Sequence, residues 1–139
     1  HLRPRRQRQM CIRDRYTIET KIKQGEKYQE LLSGHKDELK LPLRELNDEK
    51  NHYWVFGVVL RNAERSKVME ALRMDGIQTR EFFWPLHMQN ALPKNYQKKN
   101  INLPVSENLG KNGFYLPLGA HINNKKQEFI VKKLINHLN

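Results

Sequence analysis

Gly76-Ile77-Gln78-Thr79-Arg80-Glu81-Phe82-Phe83-Trp84-Pro85-Leu86-His87-Met88-Gln89 is the stretch on which the fold turns. Gly76 closes a helical pattern, and Gln78 to Trp84 reads as a strand closed by Pro85. Strand alternation places Arg80, Phe82 and Trp84 on one face and Glu81 and Phe83 on the other. An arginine fork suits a phosphate or carboxylate, and aromatic rings suit a sugar face or a base. The same residues also read as ordinary packing, with Phe82, Phe83 and Trp84 in a core and Arg80 paired to a nearby carboxylate.

Working outward towards the N-terminus, Ser66 can cap a helix that turns Val68, Met69 and Leu72 inward and stops at Gly76. Before it, His52 to Leu60 is short, apolar and rich in aromatic and β-branched residues, the pattern of a buried strand. Residues 35–51 form a charged connector. Ile18, Ile22, Tyr28, Leu31 and Leu32 recur at near-helical spacing and predict a helix over 16–33, weakened at Gly25 by about 1 kcal/mol relative to alanine.

Towards the C-terminus, residues 85–103 are irregular and rich in Pro, Asn and Lys. A connection of that length is usually functional or packed on something else. Pro104 suits the first turn of a short helix reaching Leu109. Phe114 to Leu116 forms a third strand. Asn123 caps a last helix with Phe129, Ile130, Leu134, Ile135 and Leu138 on one stripe. The order α-β-α-β-α-β-α predicts an α/β (α+β) small domain: a mainly antiparallel three-stranded sheet packed with helices. Trp54 and Trp84 are assigned to packing, and His52 and Tyr53 to strand entry and core.

The chain has 139 residues, which bounds it to one domain. Its hydrophobic content of 37% and charged content of 29% make it polar, but ten Phe and Tyr side chains and two Trp argue against wholesale disorder. No apolar run approaches the roughly 18 residues of a membrane span. A single cysteine, Cys11, rules out a disulfide framework and a Cys-based zinc site. The seven glycines are scattered, the six histidines lie far apart, and neither a phosphate-binding glycine loop nor an HExxH pair is present.

The net charge of +11 is uneven. Residues 1–15 carry Arg3, Arg5, Arg6, Arg8, Arg13 and Arg15 against Asp14, with no apolar stripe and no cap. The segment reads as a basic arm for nucleic acid, as a targeting segment, or as an extension foreign to the gene. The run RQRQMCIRDR resembles translated adapter sequence, so residues 1–15 are expected to be a non-native extension and 16–139 the domain proper. A small basic nucleic-acid-binding domain is the alternative, and that arm is its one supporting feature. The body lacks a recognition-helix signature and interleaved aromatic–basic strands, so no nucleic-acid partner is expected.

Three stretches carry a resemblance: Asn51-His52-Tyr53-Trp54-Val55-Phe56; Gly76-Ile77-x-Thr79-Arg80-x-Phe82-Phe83-x-Pro85-Leu86-His87-x-Gln89; and Leu103-Pro104-Val105-Ser106-Glu107-Asn108 followed by Gly113 to Gly119. In order and spacing they resemble the C-terminal part of the DegT/DnrJ/EryC1/StrS sugar-nucleotide aminotransferases, most closely the perosamine-synthase-like branch. The resemblance covers residues 16–139, with 16–33 similar to the helix that leads into the family's small domain. It implies fold-type-I, pyridoxal-phosphate (PLP)-dependent transfer of an amino group from glutamate to a nucleotide-linked keto-deoxy sugar, for surface-polysaccharide amino sugars. Such chemistry needs a Schiff-base lysine, an acidic partner for the pyridine nitrogen and a phosphate cradle. In the family these lie upstream, so this chain is expected to hold no catalytic or cofactor-binding residue and to be inactive alone. Arg80, Phe82, Phe83 and His87 match family positions on the substrate side and are the expected substrate-binding residues. The resemblance further implies a cytoplasmic homodimer with no membrane partner and no metal.

Overall fold

The structure is a computed structural model that describes residues 2–91 and 101–138. Helix α1 (Leu2–Leu31) leads into a four-stranded sheet made of β1 (Leu39–Lys40), β4 (Phe56–Leu60), β5 (Arg80–Glu81) and β6 (Gly113–Leu116). The strand order is β1-β4-β6-β5 and every pairing is antiparallel. Between β1 and β4, β2 (Glu45–Leu46) and β3 (Glu49–Lys50) form a separate hairpin. Helices α2 (Arg65–Met74), α3 (Pro104–Asn112) and α4 (Asn124–Asn136) complete the order.

Phe56, Val58, Leu60, Phe114 and Leu116 point to one face of the sheet, as their period of two requires. They meet Tyr28 and Leu32 of the α1 end, Val68 and Leu72 of α2, and Ile130, Val131 and Leu134 of α4 in one core. The Tyr28 ring lies 5.0 Å from Phe56, and Tyr53 stacks on Phe56 at 5.8 Å. The opposite face carries Gly57 and Tyr115, and among the described residues it is bordered by Phe82 and by Leu109 of α3.

The three strands expected from sequence are present and antiparallel; Phe56–Leu60 and Arg80–Glu81 are shorter than the expected 52–60 and 78–84, and Gly113–Leu116 starts one residue before the expected strand. The sheet has a fourth strand: Leu39–Lys40 pairs with Val59 and Leu60 at the edge. Two residues show no period, so a charged connector hid both this strand and the 45–50 hairpin. Helix α1 begins at Leu2 rather than at residue 16, although the residues before 16 offer no apolar stripe. Ser66 is not the cap of α2. The N-cap is Glu64, whose carboxylate accepts from the Ser66 hydroxyl. Asn123 does cap α4, its side chain accepting from the Lys126 N–H. Phe129 leaves the expected stripe and is 47% exposed, while Val131 is buried in its place. Of the irregular stretch 85–103 only the two ends are described; 92–100 lie outside the described residues.

Gly25 has a packing reason. A Cβ built there would come within 2.2 Å of the Tyr53 ring, so the helix accepts the cost of glycine to let that ring lie against it. Tyr53 holds a left-handed backbone (φ 48°), its N–H bonded to Asn51 Oδ1 and its hydroxyl donating to Glu26. Burial, with the Glu26 carboxylate beside it, pushes the Tyr53 hydroxyl up to about 12. This bend turns the next side chain outward, so Trp54 is 71% exposed and not packed as expected. Trp84 is 43% exposed as well, because the strand ends at Glu81 and the alternation ends with it.

Candidate functional site

Edge strand β5 carries Arg80 directly opposite Tyr115 of β6, and Phe82 continues the ladder by donating its N–H to the Gly113 carbonyl. Arg80 is exposed and forms part of the wall of a cavity of about 790 Å³. Lys21, Trp54, Tyr115, His121, Lys126 and Phe129 share that wall, and among the described lining residues there is no carboxylate. The neighbouring carboxylate, Glu81, is already engaged: Arg65 reaches it at 3.3 Å while donating to the Gly110 and Gly113 carbonyls. Arg80 therefore lacks the carboxylate partner that the packing interpretation supposed, and among the described residues it has no ion pair.

Helix α1, the loop after β6 and the start of α4 build the rest of the wall, and buried amides hold them together. Gln24 donates to the Gly119 and Ile122 carbonyls at 2.8 and 2.6 Å and accepts from the Gly119 N–H. Gln127 donates to the Gln24 carbonyl, and the Tyr28 hydroxyl donates to the Pro117 carbonyl. Burial raises the Tyr28 hydroxyl above the usual tyrosine range, so it stays a neutral donor. Lys21 donates to the Trp54 carbonyl and Lys126 to that of His121, leaving each ammonium two further donors.

A second cavity of about 450 Å³ lies on the face that carries Gly57 and Tyr115, with Phe82, Gly57, Val59, Leu43 and Lys40 in its wall. Trp54, Val55 and Tyr115 line both cavities. The Phe82 ring stacks on Tyr115 at 4.6 Å, over a floor kept bare by Gly57, where a Cβ would stand 2.6 Å from Phe82 Cζ. Phe83 was expected on the other face. With the strand ended, it is 77% exposed and approaches Tyr115 edge-on at 6.5 Å.

His87 sits in the turn Leu86–Met88 behind the buried Pro85. Its Nε2 is 3.0 Å from Glu107 Oε1, which also accepts from the Leu103 N–H. His87, then the Leu103 N–H, hold the Glu107 carboxyl below the usual carboxylate range. The structure thus brings Arg80 and Phe82 to the two sides of Tyr115 and sets Phe83 and His87 outside both cavities. Lys21, Trp54, Tyr115, His121 and Lys126 were missed. Only Tyr115 was open to sequence reasoning, by alternation within Gly113–Leu116; the others converge from distant segments.

Among the described residues no group of His, Cys, Asp or Glu is placed to hold a metal ion, and no helix is long and apolar enough to cross a membrane.

A family model described as the DegT/DnrJ/EryC1/StrS aminotransferase family matches residues 12–135. The GDP-perosamine synthase of Escherichia coli O157:H7 is 29% identical over 92 residues, which are 66% of this chain and 24% of that enzyme. Among solved structures, the aminotransferase TlmJ from Streptoalloteichus hindustanus superposes with a TM-score of 0.76 at 21% identity, over 88% of this chain and 32% of its own. NtdA from Bacillus subtilis, solved with bound cofactor PMP, gives 0.75 at 22% identity, over 88% and 28%. The chain thus spans about a quarter to a third of the length of the relatives it matches. Its described side chains do not fit the cofactor. Among the described residues the buried polar side chains are Gln24, Gln29 and Gln127, with neither a buried lysine for a Schiff base nor a buried acid for a pyridine nitrogen.

Proposed function

This chain belongs to the DegT/DnrJ/EryC1/StrS aminotransferase family, and from that premise we propose that it is the C-terminal, substrate-side part of a longer PLP-dependent sugar aminotransferase. The parent enzyme moves an amino group from glutamate to a nucleotide-linked keto-deoxy sugar, as a cytoplasmic homodimer. The observation that carries this reading is Arg80, an exposed guanidinium without an ion-pair partner among the described residues, in a cavity wall free of described carboxylates.

Arg80 and Phe82 border the two cavities, and Phe83 and His87 are assigned tasks at their margin. Arg80 offers a planar fork of N–H donors to the diphosphate, which it grips with charge-assisted hydrogen bonds. Phe82 and Phe83, grouped on Tyr115, form an aromatic flank that keeps water off the sugar. His87, its Nε2 fixed by Glu107, keeps its second ring nitrogen for a phosphate or sugar hydroxyl. The cofactor, its lysine and the proton transfers belong to the remainder of the parent.

The test has two arms. A parent enzyme with the upstream coding sequence restored is expected to aminate a nucleotide-linked keto sugar, using glutamate as donor. The 139-residue chain alone, titrated with PLP, is expected to show no stoichiometric Schiff-base absorption band. A band abolished by changing one lysine, or a parent that leaves every nucleotide-linked keto sugar untouched, overturns the reading.

A further inference from the structure

We propose that Arg65 is a positioning residue: it sets the register of β5 against β6 and so puts Arg80 and Phe82 on the cavity side of the sheet. The inference rests on the assignment of Arg80 to the substrate side. It adds the residue that holds that side of the site in place from another element.

Strand β5 needs such a device. Only Arg80 and Glu81 make it up, at the edge of the sheet, and both are exposed. Side chains alternate with a period of two, so a slip by one residue would turn Arg80 to the helix side and Glu81 to the cavity. A strand of two exposed residues has no buried side chain of its own to forbid that slip.

Arg65 provides what the strand lacks. It opens α2, and its side chain is only 14% exposed. Nη1 donates to the Gly110 carbonyl at 2.5 Å and to the Gly113 carbonyl at 3.3 Å, and Nη2 lies 3.3 Å from Glu81 Oε1. The Gly110 carbonyl belongs to the last turn of α3, whose carbonyls have no partner within the helix. The Gly113 carbonyl also accepts from the Phe82 N–H, the bond that continues the β5–β6 ladder. One guanidinium thus joins α2, α3, β6 and β5. Its planar fork fixes the direction of all three contacts, which an ammonium cannot do.

Alternation carries this to the site. Glu81 stands opposite Phe114, whose side chain is in the core, so Arg65 holds it to the helix side. Arg80, one residue earlier, then stands with Tyr115 on the other side, and Phe82 stacks on the same ring. With Glu81 62% exposed, its ion pair contributes little to global stability. What it decides is the way β5 faces.

The experiment compares Arg65→Gln, Arg65→Lys and Glu81→Gln. In the 139-residue chain, NMR follows hydrogen exchange of the Phe82 amide and the contact between the Phe82 and Tyr115 rings. Arg65→Gln should speed Phe82 exchange about tenfold or more and lose the ring contact, while the β4 amides keep their protection. Glu81→Gln, a change at an exposed side chain, should speed it about threefold, and Arg65→Lys should fall between the two. In the restored parent, Arg65→Gln should raise KM for the nucleotide-linked keto sugar it aminates by roughly 3–10-fold and leave KM for glutamate unchanged. Phe82 exchange at the wild-type rate in both Arg65→Gln and Glu81→Gln would overturn the proposal. So would a uniform loss of protection across β4 and β5 in Arg65→Gln with none in Glu81→Gln, since Arg65 would then be a general support of the fold. If Arg80→Ala raises KM for the sugar and Arg65→Gln does not, the positioning role falls and the substrate-side reading stands. If Phe82 exchange responds as described and neither variant changes that KM, the register role stands and the substrate-side reading falls.

Discussion

Arg80 lies directly across from Tyr115 in the antiparallel pairing of β5 with β6, and both border the larger cavity. A charge fork and an aromatic ring at one register position form a compact unit for an anionic, partly apolar ligand. Phe82 stacks on the same tyrosine, so the edge strand is packed on both sides of the arginine's partner.

In the restored parent, Arg80→Ala is expected to slow the half-reaction with the nucleotide sugar by roughly 30–150-fold, about 2–3 kcal/mol, and to spare the half-reaction with glutamate. His87→Ala should cost about 1 kcal/mol in the same step. Single-turnover kinetics of each half-reaction gives the answer. A matching fall in both, with lost stability, would make Arg80 structural.

Gly25→Ala should destabilise the chain although alanine is the better helix former by about 1 kcal/mol. The new methyl would lie 2.2–2.7 Å from atoms of the Tyr53 ring, and that ring is buried between α1 and Phe56. Overpacking of this kind costs about 1–3 kcal/mol, which outweighs the propensity gain. Chemical denaturation would reveal it; a Gly25→Ala chain more stable than the wild type would refute the close approach.

Asp75 joins α2 to α4, its two oxygens 2.6 Å from Lys133 Nζ and 2.7 Å from His137 Nε2. Hydrogen bonds from Lys133, then His137, hold its carboxyl below the usual range. A depressed folded value means that the contribution is complete above the unfolded value of about 3.9 and is lost as pH falls from there through the folded one. The wild-type thermal midpoint should therefore fall more steeply than that of Asp75→Asn below about pH 4. Parallel curves would show that the cluster contributes nothing.

Removing residues 1–15 should leave the thermal midpoint unchanged. Met10 and Ile12 are each 64% exposed and Tyr16 is 67% exposed, and the first buried side chain described in α1 is Gln24. A fall beyond measurement error would make the segment part of the folded structure. Any nucleic-acid binding should vanish with it and should weaken steeply with salt before that.

The main elements were legible where a local signal exists. The apolar run around Phe56–Leu60, the stop at Gly76 and the cap at Asn123 each act within a few residues. Leu39–Lys40 was not legible, because its strand character comes from Val59 and Leu60 some twenty residues away. Trp54 misled because one residue before it has a positive φ, which reverses the side that alternation assigns. Arg80 was singled out by its chemistry. Its freedom was not visible, since it depends on Arg65 occupying Glu81. Lys21 and Lys126 are ordinary surface lysines in sequence, and only the turn pinned by Gln24 puts them on one wall.

That pinning also orders events in time. The backbone groups bonded to the Gln24 side chain belong to Gly119 and Ile122, 95 and 98 residues further along the chain. At roughly 5–20 residues per second of synthesis, the Gln24 amide waits on the order of 5–20 s for them. Helix α1 is synthesised well before these partners and docks fully only when they arrive. Until then its apolar end, with Tyr28 and Leu32, has the sheet against it but lacks the side of the core built by Ile130, Val131 and Leu134. A ribosome that stalls before Gly119 would hold out a nascent chain with that core half covered, the kind of surface that chaperones bind.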